Sequence, residues 1–301
     1  MTNIKQKIDT LQKKQWTKFI SKNFASILIK WNPNSKLIKS YKNTFFGCAD
    51  TLIVADNENL TTTYCKNRWC GVCNRIKTAK SINAYLPELE KLFNPVFVTL
   101  TLPTCNGDEL PVRIKEMESE WRLIYQNSKK KSYLKKNNIF KGVRKAECTI
   151  RPYGMYHYHF HLILNDWQQA EWLVAQWLHR FPSASHKAQD IRFADETSFK
   201  ELFKYAFKSE VKMSNENAKR FDLIFNALRN KRTFQCFGGI NQIKEDFDED
   251  ELVNGIKLEG QANEIYKWCE EDWYRKSDGF GLVNKPIPQK VKDLIIEKPL
   301  N

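Results

Sequence analysis

The spacing of apolar residues changes period several times along the chain, and each change marks an element. In the basic stretch 1–45, Ile8, Leu11, Trp16, Phe19, Ile20 and Phe24 recur at helical spacing. They predict an amphipathic helix that packs on the rest of the protein or serves as an accessory DNA contact, with packing favoured. Ile82, Tyr85, Leu86, Leu89 and Leu92 predict a helix over 76–93 that Pro95 closes. Residues 96–102, VFVTLTL, are β-branched and apolar and predict a central strand, with Thr99 and Thr101 on the face of Phe97. Ile114, Met117, Trp121 and Ile124 predict a core-facing helix over 111–126.

Two further strands follow. AECTIR, 146–151, leads through a short turn with Gly154 into HYHFHLIL, 157–164, as an antiparallel pair. Strand side chains alternate between faces, so His157, His159 and His161 share one and Tyr158, Phe160, Leu162 and Leu164 the other. Three imidazoles on one side of an apolar strand point to a metal site, against the plainer reading of a polar exposed face. Glu147, Thr149 and Arg151 share a face of the preceding strand. If it is the histidine face, Glu147 reaches the metal.

Asn165 or Asp166 caps a helix whose buried side carries Trp167, Ala170, Leu173, Val174 and Trp177. Residues 189–193 form a short strand. The next helix, from Asp195 or Thr197, gathers Phe199, Leu202, Phe203 and Ala206 on one side. At about 100° per residue, Glu201, Tyr205, Lys208 and Lys212 make a stripe opposite, which taken alone is a solvated face. A helix over 215–229 and a strand over 232–240 complete the pattern. This order predicts an α+β fold: a central antiparallel sheet of about five strands, helices mainly on one face, and the other face free for metal and DNA.

Cysteine and charge add chemistry. Cys65, Cys70 and Cys73 lie in CKNRWCGVC, and no histidine precedes position 157. With Cys48 as the simplest fourth ligand they predict a structural zinc site, preferred over a redox Cys70/Cys73 pair or unrelated buried cysteines. Lys and Arg number 49 against 35 Asp and Glu, a net charge of +14, which favours a polyanion such as nucleic acid as partner. Arg68, Arg75, Lys77 and Lys80 flank the cysteines and are placed for phosphate contacts. The run KKKSYLKKNNIFKGVRK, 129–145, holds eight Lys or Arg with Tyr133 and Phe140 interleaved; it suits single-stranded nucleic acid or a solvated loop equally. No stretch of 18 apolar residues argues for a membrane span, and the N-terminal segment lacks an apolar signal region. A cytoplasmic location with reduced thiols is expected.

Taken together, FVTLTLP at 97–103, His159-Phe160-His161 and Tyr205-Ala206-Phe207-Lys208 resemble, in order and rough spacing, the three motifs of plasmid rolling-circle replication initiators in the His-hydrophobe-His (HUH) endonuclease superfamily. The upstream cysteines resemble the zinc segment of a single-tyrosine branch, in which a Glu stands four residues before the nucleophile, here Glu201. The resemblance covers 48 to about 240. It departs at Pro103-Thr104-Cys105, where the first motif usually carries a polar residue.

The resemblance implies an HUH/RRM-like catalytic domain over 81–240. A helical segment, 1–45, and a four-cysteine zinc segment, 46–80, precede it. An acidic linker and tail without assigned role, 241–301, follow. It implies Mn²⁺ or Mg²⁺ held by His159, His161 and Glu147, with His157 as ligand or neighbour. It implies Tyr205 as nucleophile, Lys208 as its helper and Glu201 as base for a second cut. Origin DNA is the substrate, and host helicase and polymerase are the partners. An HUH transposase or relaxase and a non-catalytic zinc-dependent DNA-binding regulator are the alternatives.

Overall fold

The computed structural model describes residues 2–54, 60–129, 140–203, 212–241 and 264–296, the side chains of 2–9 and Lys200 excepted. In chain order the elements are α1 (Thr2–Trp31), α2 (Ile38–Gly47), β1 (Thr51–Val54), β2 (Leu60–Thr62), α3 (Gly71–Leu89), β3 (Val96–Thr101), α4 (Leu110–Ser128), β4 (Gly142–Ile150), β5 (Tyr156–Leu164), α5 (Trp167–Arg180), β6 (Asp190–Phe193), α6 (Glu196–Phe203), α7 (Asn215–Ala227), β7 (Phe234–Phe237), β8 (Ile265–Cys269), β9 (Asp272–Arg275) and α8 (Gln289–Lys292). They divide into two compact units, each with an antiparallel sheet. No helix among the described residues is long and apolar enough to cross a membrane.

The first unit draws on residues 2–80, 212–222 and 264–296. Its sheet has the order β2-β1-β8-β9, so the tail supplies half of the strands. Leu52 stands opposite both Thr62 and Tyr266, and Trp268 opposite Trp273. Leu52, Val54, Leu60, Tyr266, Trp268 and Trp273 bury one another. Asp272 fastens the following loop by accepting the backbone N–H groups of Trp273, Val283 and Asn284. The buried side of α1 is rotated from the predicted one. Leu11, Gln15, Lys18, Ser21, Phe24, Ala25 and Leu28 are buried, whereas Trp16, Phe19 and Ile20 are only half-buried. Polar side chains hold the middle of this face because they meet backbone there: Gln15 donates to the Lys285 carbonyl at 2.9 Å and Lys18 to that of Cys48 at 2.6 Å.

The second unit draws on 81–129, 140–203 and 223–241. Its five strands run in the order β6-β3-β5-β4-β7, with the histidine strand β5 at the centre. Two caps start helices that flank it. Asp166 accepts the Gln169 N–H at the head of α5, and Asp195 that of Ser198 at the head of α6. One face of the sheet, with Phe160 and Leu162 of β5, packs under α4 and α5; Trp121 and Trp177 meet the Phe160 ring edge-on at 6.2 and 5.7 Å. Trp167 lies outside that packing, over a third exposed and tilted against Phe193.

The opposite face is not free, as predicted, but half covered. Phe97, Val143 and Ile163 are roofed by Leu89 at the end of α3, by Leu92 just beyond it, and by Leu202 and Phe203 of α6. Only the end that carries Thr99, Thr101, Glu147 and the three histidines is left polar. The reason lies in the composition of the three central strands: on this face each is apolar at one end and polar at the other, so only one end needs a hydrophobic cover.

The basic run also differs from expectation. Residues 130–139, with Tyr133, lie outside the described residues, and Phe140 is core, stacked on Phe237 at 5.0 Å. Arg144 is buried beneath α4. It pairs with Glu118 at 3.0 Å and lies over the rings of Phe160 and Trp121 at 4.4 and 5.0 Å. The Tyr158 hydroxyl donates to the other Glu118 oxygen at 2.6 Å. Burial first, then the Glu118 charge, holds that phenol far above its usual range. Glu118 is therefore the counter-charge on which a buried guanidinium depends. Glu118→Ala is expected to lower unfolding free energy by about 3–5 kcal/mol, the usual cost of orphaning a buried charge. Urea denaturation checks this, and an unchanged midpoint would mean that Arg144 needs no partner.

Candidate metal centres

Strand register builds the first site. β4 and β5 pair so that Glu147 faces His159 and Lys145 faces His161; β3 pairs on the other edge, with Thr99 opposite His161 and Thr101 opposite His159. Directly opposed residues project to one face. Glu147, His159 and His161 thus converge. The two imidazole Nε2 atoms are 3.1 Å apart, and Glu147 Oε2 is 3.6 Å from that of His159 and 3.5 Å from that of His161. Ligands at about 2.1 Å from one divalent ion stand roughly 3.0 Å apart in octahedral geometry and about 3.4 Å apart in tetrahedral geometry. The triangle matches that size, so the three residues can hold one ion.

The outer nitrogens explain why the inner ones converge. His159 Nδ1 lies 3.2 Å from the His157 carbonyl oxygen, an acceptor only, so in a neutral ring Nδ1 is the nitrogen that carries the proton and Nε2 the one free to bind a metal. Thr99 Oγ1 lies 3.2 Å from His161 Nδ1 and orients that ring the same way when it accepts. The Phe97 ring stacks on His161 at 5.3 Å. Burial lowers the His161 pKa against the pull of Glu147, which favours the neutral imidazole a metal needs. Burial opposes ionisation of Glu147, but His159, His161 and Lys145 outweigh it and hold its carboxyl well below the usual range. Where the two Nε2 atoms carry no proton, a cation can take the place between them and the carboxylate.

His157 is not part of this triangle. Both its nitrogens are engaged elsewhere: Nδ1 with Arg151 Nη2 at 3.3 Å and Nε2 with the Thr101 hydroxyl. Burial, followed by the neighbouring His159 and Arg151, pushes its pKa down to about 4. Thr101 is itself fixed, because the Gln189 amide accepts its N–H at 2.9 Å and donates to its carbonyl at 3.2 Å.

Lys145, which the sequence shows only as one charge of the basic run 129–145, has a place of its own in the fold. It is buried. Its ammonium donates to the Glu201 carbonyl at 3.0 Å and lies 4.0 Å from Glu147 Oε2, so one side chain ties the last turn of α6 to the carboxylate of the triad. A lysine that strand alternation turns toward two histidines and a glutamate was the available signal. The Glu201 side chain is half-buried on α6. Tyr205 and Lys208 lie outside the described residues.

The second site belongs to the other unit. Cys48 Sγ is 3.6 Å from Cys70 Sγ and 3.5 Å from Cys73 Sγ, and Cys65 Sγ is 3.5 Å from Cys73 Sγ. Four thiolates at about 2.3 Å from a tetrahedral zinc stand roughly 3.8 Å apart. All four cysteines are free thiols, and together they can hold a metal ion. Hydrogen bonds among the thiols, then burial, hold Cys48 and Cys70 above the ordinary thiol range, while the same bonds pull Cys65 and Cys73 below it. The Thr44 hydroxyl donates to Cys65 Sγ at 3.1 Å and Asn74 to the Cys70 carbonyl at 2.9 Å, so the ligand loops are braced from outside. Arg68, Arg75 and Lys77 are exposed beside it.

Residues 58–176 match the family described as "Replication protein". The span takes in Cys65, Cys70, Cys73, β3, β4 and β5, and with them the whole Glu147–His159–His161 triangle; Cys48, Glu201 and Tyr205 fall outside it. A "Protein rep" from Lentilactobacillus hilgardii is 28% identical over 147 residues, 42% of this chain and 45% of the relative. Another "Protein rep", from Staphylococcus aureus, is 30% identical over 130 residues, 40% of this chain and 54% of the relative. The chain thus spans about half the length of the curated relatives it matches. No solved structure matches. The family match and the two relatives agree that the middle of the chain, around residues 58–176, is similar to replication proteins.

Proposed function

We propose that the chain starts rolling-circle replication of a plasmid by nicking, and later rejoining, single-stranded or extruded origin DNA. The observation that supports this most is the convergence of two imidazole nitrogens and one carboxylate oxygen inside a segment that matches replication proteins. Mixed nitrogen and oxygen donors that leave coordination positions open suit Mn²⁺ or Mg²⁺, and such an ion when bound supplies Lewis acidity toward a phosphate oxygen.

In this reading His159, His161 and Glu147 hold the reacting phosphate's site, and Thr99 keeps His161 turned toward it. Tyr205 is the nucleophile. Its phenolic oxygen bonds to phosphorus as the bond from phosphorus to the 3′ oxygen breaks. A 3′-OH is left for a host polymerase, and a 5′-phosphotyrosine stays on the protein. A free tyrosine has a pKa of about 10, so Lys208, three residues on, favours the phenolate or holds the phosphate. Because the phosphodiester is exchanged and not hydrolysed, rejoining needs no nucleotide. Glu201, four residues before Tyr205, serves as general base for a water in the final cut. Lys145, bonded to the Glu201 carbonyl and close to Glu147, keeps this helix against the metal face. Cys48, Cys65, Cys70 and Cys73 take zinc in a closed structural site. A host helicase unwinds the plasmid.

Tyr205→Phe is expected to abolish the covalent adduct on a labelled origin oligonucleotide while leaving DNA binding intact; an adduct that persists removes Tyr205 as nucleophile. Glu201→Ala is expected to make the first nick at a normal rate and to fail in releasing unit-length circles, and normal circle yield would assign the second cut to another base. Thr99→Val is expected to weaken Mn²⁺ binding roughly 10- to 100-fold, the usual effect of losing a group that orients a histidine ligand. Electron paramagnetic resonance of free Mn²⁺ measures this directly, and wild-type affinity would show that Thr99 does not orient the site.

A further inference from the structure

The hairpin between β4 and β5 carries a residue that the chemistry above does not use. Tyr153 is 99% exposed, the most exposed of the large hydrophobic side chains among the described residues. Its backbone has φ 58° and ψ 27°, the left-handed region that glycine, asparagine and aspartate occupy at least cost. Of the described residues with positive φ outside glycine, it is the one aromatic. A bulky ring is held in a disfavoured conformation and contacts almost nothing in its own chain that would offset the cost.

The tip around it is well defined. Arg151 N–H donates to the Met155 carbonyl at 2.8 Å and Met155 N–H to that of Pro152 at 3.3 Å, while Pro152 restricts the preceding turn. It also adjoins the metal face. Ile150 pairs with Tyr156 and Thr149 with His157, so the strands that hold Glu147 and His159 run straight into the tip. At about 3.4 Å per residue, the end of β4 is roughly 10 Å beyond Glu147. Arg151, exposed at the base of the turn two residues before Tyr153, bonds His157 Nδ1 at 3.3 Å.

We infer that Tyr153 is a stacking platform for an unpaired base of single-stranded DNA that flanks the phosphate at the Glu147–His159–His161 site, with Arg151 meeting the adjoining phosphate. A fully exposed aromatic ring with an exposed arginine two residues away on the same turn suits a base and its adjoining phosphate, and stacking requires no particular base. The inference rests on the DNA-directed reading of that site and specifies where the strand lies.

The test is binding of dye-labelled oligothymidylate and of a duplex of equal length, followed by fluorescence anisotropy, with nicking of origin DNA measured in parallel. Tyr153→Ala is expected to weaken single-strand binding roughly 5- to 150-fold, the loss of about 1–3 kcal/mol that one stacked base is worth, and to leave duplex binding unchanged. Tyr153→Phe is expected to bind as wild type. Tyr153→Gly, which relieves the backbone, should melt no lower than wild type yet bind single strands as poorly as the alanine variant, which separates a ligand contact from a structural one. Equal affinity of wild type and Tyr153→Ala for the single strand overturns the inference, as does a loss shared equally by single strand and duplex. A wild-type protein that binds no single-stranded DNA overturns it too. A protein that binds single strands through Tyr153 but never nicks leaves the platform standing and refutes the nicking chemistry alone.

Discussion

The pairing register of β5 is the constraint on which the metal face depends. This strand is hydrogen-bonded on both edges, to β3 and to β4, and each ligand or supporting group of the triangle is placed by one of those two ladders. A slip of one residue on either side would turn Glu147 or Thr99 to the other face of the sheet, where α4 and α5 pack. Register is secured by apolar pairs farther along the same strands: Val143 with Ile163 on one side, and Phe97 with Ile163 on the other. These lie under the α3–α6 cover. Hydrophobic burial at one end of the strand thereby sets the position of polar atoms at the other end.

The two candidate metal centres are built on different logic. The cysteine group takes all four ligands from one short region plus Cys48, and thiolates on every side leave no position for a substrate. The Glu147–His159–His161 group offers three ligands from the middle of a sheet, with Lys145 and Thr99 beside them, fewer than a divalent ion's full set. Four thiolates complete a tetrahedral ligand set, whereas three mixed donors do not. Lys145 adds a connection beyond the sheet, since its bond to the Glu201 carbonyl fixes the end of α6 to the strand that carries Glu147.

Much of this was legible in the sequence where the signal is local. Period-two alternation located β3 and β5 and the shared face of the three histidines, but whether Glu147 joins that face was settled only by the register of β4 on β5; the cysteine spacing located the thiol cluster. What escaped has a common cause, because it depends on pairing between distant segments. Arg144 and Lys145 sit in a run of charge that looks solvated, and only the placement of Glu118 and α6 shows that both are buried with partners. The buried side of α1 appeared from apolar spacing to include Trp16 and Ile20. In the fold it passes through Gln15 and Lys18, because loop carbonyls face them and need donors. The half-covered sheet face could not be read from strand composition, since nothing local says that α3 and α6 share one end of it.

The first unit's sheet carries a consequence for the order in which the protein can form on the ribosome. β1 gains its second neighbour only when β8 has been made, more than two hundred residues later, a delay of roughly 10–40 s at synthesis rates of about 5–20 residues per second. Through that interval the short β1–β2 hairpin exposes one unpaired edge, and the apolar side chains of Leu52 and Val54 await Tyr266 and Trp268. The four clustered cysteines, by contrast, are all translated by residue 73. A metal ion taken up early would pin the segment beside this open edge long before its strand partner arrives, so that metal supply during translation bears on how much of the chain escapes aggregation.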